Sequence, residues 1–258
     1  MSKALPIAVA VLLGGVALVP VYYAAHHPTD SAVKFESQNL DLSKNSSELD
    51  KLSYAQGFKM GAQIPAEVNA KAMAAGMVDA AAKKPSRFSE AEIKKATALI
   101  NKEMFAKGIE ELRLNLDKVP PEQKAQAEQA IKAYDANMAF MKENAKKPGV
   151  ITTETGLQYK ITKQGTGKQP SADSTVIAHY KGSLIDGTVF DNSFERNQPI
   201  DIPLGQVVPG WTEGFQHLKE GSTATLYIPS YLGYGEQAQA NIPPFSTLIF
   251  DVELIKVK

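Results

Sequence analysis

The sequence predicts an α+β protein, in which an all-α N-terminal half precedes a twisted antiparallel β-sheet wrapped on one short helix. In the first half, apolar residues recur every three to four positions, as they do on one face of a helix. After the Lys-Lys-Pro-Gly segment at 146–149, Leu157, Tyr159 and Ile161 alternate with polar residues, which is typical of strands. The length allows two domains, and we expect them at residues 47–147 and 150–258.

The N-terminal 25 residues are typical of an export signal or a membrane anchor. Lys3 is followed by an uncharged, mostly apolar run over 4–25, and secretory signal peptides share this pattern. The run approaches the roughly 20 residues that span a bilayer, and Tyr23 stands where cleavage prefers a small residue. A cleaved signal and a retained anchor both stay open, and either predicts a periplasmic or cell-envelope location. Residues 26–46 are polar, lack periodicity and are expected to form a linker.

The composition excludes several classes of partner and chemistry. The chain has 28 basic and 28 acidic residues, so nucleic acid is not an expected partner. It has no cysteine, which excludes disulfides, thiol catalysis and thiolate metal sites. His26 and His27 are adjacent but lack further ligands, so no metal or other cofactor is expected. We expect His179 and His217 to make local hydrogen bonds.

Two shorter helices are expected at the start of the helical half. The first begins near Ser47 and carries Gly57 and Gly61 four positions apart on one face. Small residues at this spacing let another helix approach closely, although two tolerated helix glycines are the alternative interpretation. The second helix is the alanine-rich segment 68–82.

A long helical stretch follows, with a break inside it. Ser89 and Glu92 have the spacing of a capping box at its start. Pro120 and Pro121 must end or sharply kink the helix, because proline lacks the N–H donor and clashes with the preceding turn. Beyond the prolines the apolar residues follow a heptad-like spacing at Ala127, Ile131, Tyr134, Met138 and Met141. Core packing and a coiled coil are both open for this series.

The C-terminal half has the signals of strands, one hairpin turn and one helix. Strands are expected at 157–161, 176–181, 224–228 and 248–257. Asp186-Gly187 is a strong hairpin-turn signal. Trp211, Phe215 and Leu218 follow helical spacing. A sheet wrapped on this helix would bury one face and leave a cavity between the two.

Aromatic residues concentrate in three phrases of this half: HYKGSLIDGTVFDNSF at 179–194, VVPGWTEGF at 207–215, and YLGYG with IPPFSTLIFDVEL between 231 and 254. The second phrase holds Trp211, the one tryptophan of the chain. Asp191 is the carboxylate expected among these rings, without a nearby cysteine or paired acid. The set predicts a pocket that grips an apolar group such as a proline ring, and ordinary core packing is the alternative.

In these phrases, residues 155–258 resemble FKBP-type peptidyl-prolyl cis/trans isomerases. The matching phrases are HYKG, DGTVFDNS, VVPGWTEG and IPPFSTLIFDVEL, in the family's order and near its spacing. The LSYAQGFKMG phrase at 52–61 more loosely resembles the N-terminal dimerisation domain of the FkpA and macrophage-infectivity-potentiator (Mip) branch. The resemblance therefore implies a homodimer, in which an all-α dimerisation domain precedes the FKBP-type sheet.

The resemblance also implies the walls of the pocket. Trp211 would be the floor on which the prolyl ring lies. The aromatic walls would be Tyr180, Phe190 and Phe250, and the aliphatic walls Val207, Val208 and Ile242. The family usually has phenylalanine near Ile200 or Ile202. We assign Ile202 to the pocket, but the sequence leaves open which of the two isoleucines faces the pocket.

The polar groups of the pocket are implied in the same way. The Val208 amide and the Tyr234 hydroxyl match groups that bind the ligand's carbonyls. Asp191 matches the single pocket carboxylate and Arg196 its basic neighbour. Asp191 would either interact with the rotating carbonyl group or hold Tyr180 and Arg196 in place. The segment GEQAQANI at 235–242 departs from the family pattern beside this pocket.

These residues imply an enzyme that accelerates X-Pro isomerisation during the folding of exported proteins. The barrier to rotation is roughly 18–20 kcal/mol, and a dry aromatic pocket would favour the twisted amide because it has less charge separation than the planar one. The expected partners are proline-containing unfolded or partly folded polypeptides and macrocyclic inhibitors, and chaperone activity is expected beside the catalysis. The alternative is a chaperone or peptide-binding module with weak or no isomerase activity.

Overall fold

The computed structural model describes residues 48–61 and 68–258. The expected signal or anchor at 1–25 and the expected linker at 26–46 therefore lie outside the described residues. The helices are α1 (Glu48–Gly61), α2 (Ala70–Ala81), α3 (Glu90–Leu114), α4 (Pro121–Asn144) and α5 (Pro209–Phe215). The strands are β1 (Ile151–Thr152), β2 (Gln158–Lys163), β3 (Thr175–Ser183), β4 (Val189–Asn192), β5 (Ile200–Pro203), β6 (Thr223–Ile228) and β7 (Leu248–Val257). Within the described ranges, no helix combines the length and the apolar character needed to cross a bilayer.

Local signals explain where α2 and α3 begin. The second helix starts at Ala70, two residues later than predicted, because Asn69 is its N-cap and accepts a hydrogen bond from Ala72 N at 3.1 Å. The predicted capping box of α3 is confirmed. Ser89 Oγ accepts from Glu92 N at 3.3 Å, and the Glu92 carboxylate accepts from Ser89 N at 2.8 Å.

The break at the two prolines is also confirmed. Helix α3 ends at Leu114, a 3₁₀ turn follows at Leu116–Lys118, and Pro121 is the first residue of α4. At that position a missing N–H removes no intrahelical bond. The two helices then pack on each other, and the Arg113 guanidinium donates to Asp135 Oδ1 at 2.9 Å. We call these two helices the α3–α4 pair.

The heptad-like series of α4 is used in part for core packing. Ala127 and Ile131 are buried in a cluster with Ile109 and Leu112 of α3. Near the end of α4, the buried Asn144 donates to Gln158 Oε1 at 2.9 Å, and the Gln158 amide donates to the Met141 carbonyl at 2.8 Å. The end of α4 is therefore tied to strand β2.

The strands form one antiparallel sheet in the order β1-β2-β6-β7-β3-β4, and β5 also pairs with β3. The four predicted strands correspond to β2, β3, β6 and β7. Strands β1, β4 and β5 were not predicted, since they are two to four residues long and offer too little alternation. The predicted hairpin turn joins β3 to β4: Leu184 N donates to Thr188 O at 2.9 Å, and Gly187 has a φ of 86°.

Helix α5 lies on the buried face of the sheet, against β6. A Cβ added at Gly210 would lie 2.3 Å from Ile228 Cγ2, and one added at Gly214 would lie 2.7 Å from Leu226 Cδ1. The two glycines therefore let the helix approach the sheet closely. The helix ends at Phe215 rather than reaching Leu218 as its spacing predicted, although the Leu218 side chain is fully buried just beyond it.

Candidate active site

Four aromatic rings predicted for the pocket lie together where α5 meets the sheet. The Trp211 ring is 7% exposed and meets the Phe250 ring edge to face, with centroids 4.8 Å apart. Tyr180 contacts Trp211 in the same manner, with centroids at 5.2 Å. Phe190 completes the group by contacting Phe250 edge to face at 5.6 Å. Edge-to-face packing is a favourable arrangement of aromatic pairs.

A glycine makes room for two of these rings. In the sheet, Gly182 of β3 pairs with Phe250 on β7 and with Asp191 on β4. A Cβ at Gly182 would lie 2.4 Å from Phe190 Cε2 and 2.8 Å from Phe250 Cε1. No other residue fits there without moving the rings. Sequence reasoning did not single out Gly182, although it is the glycine of the HYKG phrase.

The aliphatic residues predicted for the pocket also pack against this core. Val207 and Val208 are half-buried at the N-terminal end of α5, and Ile242 is buried in the same cluster. Ile202 is only 2% exposed, whereas Ile200, two positions earlier on β5, is half-buried. Ile202 can therefore support a pocket wall from beneath, and Ile200 retains surface that a bound group could touch.

Asp191 is held by two neighbouring side chains. The Tyr180 hydroxyl donates to Asp191 Oδ2, and the Arg196 guanidinium donates to Asp191 Oδ1. Asn192 N also donates to Asp191 Oδ1, at 2.8 Å, and Arg196 Nη2 donates to the Tyr180 oxygen at 3.4 Å. Both carboxylate oxygens are thus engaged. The arrangement links β3 and β4 beside the Tyr180 ring.

These contacts determine the protonation of the pair. Partial burial acts to raise the pKa of Asp191, but the hydrogen bonds from Tyr180 and Arg196 and the positive charge of Arg196 bring the pKa below its ordinary value. Burial and the hydrogen bond to Asp191 raise the pKa of Tyr180. At neutral pH, Asp191 is therefore an anion and Tyr180 a neutral donor, so this pair is not poised to exchange a proton with a substrate.

Three hydrogen-bond donors of residues predicted for the pocket meet no acceptor among the residues that the structure describes. The Trp211 indole N–H is buried without a partner. The Val208 carbonyl accepts from Trp211 N at 2.9 Å, but the Val208 N–H has no partner of its own in the described ranges. Tyr234 is 39% exposed, and its hydroxyl also has no partner among the described residues. Unused donors beside an apolar cluster suit a ligand that carries carbonyl groups.

Tyr234 and Ile242 belong to one loop, residues 229–247, which we call the β6–β7 loop. Gly235 N donates to Ser230 O at 2.8 Å, which closes a turn around Tyr234. Ile242 N donates to Gln239 O at 2.7 Å and Gln239 N donates to Ile242 O at 3.0 Å. The segment that departs from the family pattern is therefore a short hydrogen-bonded bridge.

The two histidines have different environments. His179 Nδ1 lies 2.9 Å from Ser193 Oγ, as predicted. The backbone N–H of His217 donates locally to the Gly214 carbonyl at 3.1 Å, and its ring stacks on Tyr159 with centroids 4.6 Å apart. Burial lowers the pKa of His217 and favours its neutral form.

Comparisons with known proteins show what the chain is similar to. The family model described as FKBP-type peptidyl-prolyl cis-trans isomerase matches residues 166–255, and the model of the domain amino terminal to it matches residues 49–161. A probable FKBP-type peptidyl-prolyl cis-trans isomerase FkpA from Neisseria meningitidis is 42% identical over 82% of this chain and 75% of its own. The outer membrane protein MIP of Legionella longbeachae is 35% identical over 84% of this chain and 89% of its own.

A solved structure is also similar. The crystal structure of FkpA from Escherichia coli is 33% identical, with a TM-score of 0.49 over 83% of this chain and 98% of that chain. Two family models match consecutive parts of the sequence, and relatives at 35% and 42% identity match most of its length. The chain therefore belongs to the FKBP-type peptidyl-prolyl cis-trans isomerase family.

Proposed function

We propose that this isomerase holds the proline ring of an unfolded or partly folded polypeptide against Trp211, between Tyr180 and Phe250, and so accelerates rotation about the X-Pro bond. The observation that carries the proposal is the set of edge-to-face rings around Trp211, whose buried indole N–H has no partner among the described residues. The apolar rings would hold the proline. The Val208 N–H and the Tyr234 hydroxyl would hold carbonyl groups of the flanking chain.

The chemistry required is a preference for the twisted amide over the planar one. The barrier of roughly 18–20 kcal/mol arises from amide resonance, and only interactions that are stronger in the transition state lower it. A planar amide has more charge separation than a twisted one, so a pocket without water disfavours the planar form. No covalent bond to the protein and no proton transfer is needed for this reaction.

Asp191 has a positioning role in this proposal. Both of its oxygens accept hydrogen bonds, from Tyr180, Arg196 and the Asn192 amide. Its charge is therefore directed mainly at protein groups. The carboxylate would fix the orientation of the Tyr180 ring and of Arg196, and so preserve the shape of the pocket.

A refolding assay limited by proline isomerisation tests the function. We expect the full-length protein to accelerate the slow refolding phase of a substrate protein, and Trp211→Ala to lose this effect while its circular dichroism spectrum stays native. A separate assay on a short proline peptide removes any contribution of chaperone binding. Suppression of aggregation without acceleration of either reaction would favour the alternative, a chaperone module with little isomerase activity.

The helical domain at 47–147 supports a second part of the proposal, a homodimer. Helix α1 presents large apolar side chains to the solvent, and none of the described residues covers them: Leu49, Leu52, Tyr54, Phe58 and Met60. Gly57 and Gly61 on this helix have open space around them. The same surface of a second copy would cover these groups, and a match to the family's amino-terminal domain at 49–161 agrees with this.

Sedimentation tests the dimer. Residues 26–258 should sediment as a dimer at micromolar concentration. Phe58→Asp should give a folded monomer, because it places a charge in the apolar contact. Gln126→Asp, at an exposed position of α4 outside this surface, is the control and should leave the dimer intact. A monomeric wild-type protein would contradict the proposal.

Location in the cell envelope is the third part. The apolar run at 4–25 supports export, and one relative is named an outer membrane protein. The protein would then be periplasmic, or anchored in the inner membrane and facing outward. Fractionation of cells that express the full chain tests the location, and mass measurement distinguishes a cleaved from a retained N-terminus. Recovery of the uncleaved chain in the cytoplasm would contradict export.

A further inference from the structure

The β6–β7 loop packs against the helical half of the chain. Phe245, in this loop, is only 3% exposed, and it lies in the apolar cluster of the α3–α4 pair rather than in the sheet core. Its ring meets Phe105 of α3 and Tyr134 of α4 edge to face, each with centroids 6.2 Å apart. One side chain of the loop is therefore inserted between two helices.

A hydrogen bond and a close contact join the loop to the same helices. Asn137 Oδ1 on α4 accepts from Thr247 N at 2.7 Å, and Thr247 is 1% exposed. At the other end of the loop, a Cβ added at Gly235 would lie 3.0 Å from Phe105 Cζ. The Phe105 ring therefore lies against the backbone next to Tyr234. The helices contact the loop on both sides of Ile242.

The backbone of Phe245 shows that these contacts hold the loop in a particular conformation. Its φ is 62°, in the left-handed region that bulky residues rarely adopt. Such a conformation persists only where the surrounding structure holds it. The Phe245 N–H also donates to the carbonyl oxygen of Gly235 at 2.8 Å. Because Gly235 directly follows Tyr234, this bond couples the position of Phe245 to that of Tyr234.

We propose that the α3–α4 pair positions the β6–β7 loop, and that Phe105 and Asn137 are positioning residues for Tyr234 and Ile242. This inference rests on the proposed function of the pocket. Tyr234 and Ile242 lie on an irregular loop, whereas Trp211, Tyr180 and Phe250 lie on a helix and on strands. A loop that is already ordered loses less conformational entropy when substrate binds. The helical half would thus contribute to substrate binding without touching the substrate.

The physical argument predicts which kinetic quantity changes. The contacts among the four pocket rings are made by residues of α5 and of the sheet, whereas the contacts that hold the loop come from the α3–α4 pair. Loosening the loop should therefore weaken substrate binding more than it slows the isomerisation of the bound substrate. The expected signature is a raised KM with a nearly unchanged kcat.

Variants of the full-length chain test this inference. Asn137→Ala removes the acceptor for Thr247 N, whereas Asn137→Asp keeps that acceptor and loses only the Nδ2 donation to the Ala133 carbonyl at 2.8 Å. Glu128→Ala, at an exposed position of α4, is the matched control. Phe105→Leu is a second, independent variant that loosens the contacts with Phe245 and Gly235. Circular dichroism and thermal unfolding identify the variants that remain folded.

Hydrogen exchange and peptide kinetics are then measured on each folded variant. We expect Asn137→Ala and Phe105→Leu to raise amide exchange at residues 233–247 about tenfold, to raise KM several-fold, and to leave kcat within about twofold. Exchange in β3 and β7 should not change, and Asn137→Asp should lie between Asn137→Ala and the wild type in both KM and exchange. Unchanged exchange and KM in both loosening variants would overturn the inference. If the wild-type protein has no isomerase activity, the proposed function fails, while the exchange measurement still decides whether the helices order the loop.

Discussion

The indole ring of Trp211 and the phenyl ring of Phe250 meet edge to face at 4.8 Å, with an interplanar angle of 84°. Trp211 lies on α5. Phe250 lies on β7, which pairs with β6 on one side and with β3 on the other. The contact therefore joins the helix to the sheet at the floor of the proposed pocket. Trp211 would then have a structural role as well as the binding role that we propose.

Removing the Trp211 ring should cost far more activity than removing the Tyr234 hydroxyl. Truncating a buried aromatic residue costs about 3–5 kcal/mol, whereas a lost hydrogen bond is worth about 1 kcal/mol. We expect Trp211→Ala to lower kcat/KM at least about a hundredfold and Tyr234→Phe about fivefold. Kinetics on a short proline peptide would measure both.

A matched control separates lost binding from lost stability. Tyr159 is also buried, but its ring stacks on His217 rather than on one of the four pocket rings. Tyr159→Leu should therefore lower thermal stability and leave kcat/KM nearly unchanged in the folded fraction. Full activity in a folded Trp211→Ala protein would contradict the pocket.

Asp191→Asn tests the positioning role of the carboxylate. If Asp191 acts through Tyr180, then Asp191→Asn and Tyr180→Phe should each lower kcat/KM less than about tenfold, and their effects should not add. A direct electrostatic role predicts that Asp191→Asn lowers kcat/KM about tenfold or more, since each 1.4 kcal/mol added to the barrier is about tenfold in rate. That loss would persist in the Tyr180→Phe background. The double-mutant cycle distinguishes the two roles.

The pH dependence of the rate should show no acid–base pair formed by Asp191 and Tyr180. The pKa of Asp191 is lowered and that of Tyr180 is raised, so neither group titrates between about pH 5 and 9. We expect no bell-shaped profile in kcat/KM from these residues. The stability that Asp191 contributes should be present above its unfolded pKa of 3.8 and be lost as the pH falls through its lower folded-state pKa.

Glu236 should make the protein less stable as the pH rises. Burial raises the pKa of its carboxyl from 4.5 to about 7, and no partner for it is found in the described ranges. Between these two values the unfolded chain is ionised while the folded protein is still protonated, so stability falls with rising pH and the full loss is present above pH 7. Glu236→Gln should remove about 1–3 kcal/mol of destabilisation at pH 8 and have little effect at pH 4.5.

Urea unfolding of the two proteins at pH 4.5 and pH 8 measures this difference. Glu128→Gln, at an exposed position of α4, is the control and should behave alike at both pH values. An equal effect of Glu236→Gln at both pH values would show that the carboxyl does not titrate in the folded protein as described.

Gly182→Ala should damage the pocket without adding a charge or removing a ring. A Cβ at this position would lie within 2.8 Å of both Phe190 and Phe250, so the rings must move. We expect a loss of kcat/KM of about tenfold or more, since overpacking a buried site typically costs about 1 kcal/mol or more of free energy. Gly205→Ala is the control, because its Cβ would meet nothing closer than 4.0 Å. Equal activity of the two variants would contradict the steric argument.

Local features of the sequence were sufficient to predict most of the secondary structure. The capping box at Ser89 and Glu92 and the break at Pro121 depend on residues within a few positions of each other. The long strands show their alternation in the sequence itself, as β7 does over Leu248–Val257. The family, and hence the set of residues expected at the pocket, followed from phrases that are contiguous in the chain.

The remaining features depend on residues that are distant in the sequence. Strands β4 and β5 are too short to show a pattern, and their pairing with β3 defines them. The space for the Phe190 and Phe250 rings at Gly182, and the stacking of His217 on Tyr159, arise only when separate strands and helices meet. The insertion of Phe245 between Phe105 and Tyr134 likewise joins the two halves of the chain. Spacing along the chain records local hydrogen bonding and periodicity, whereas these contacts result from the packing of whole elements, which only the tertiary structure decides.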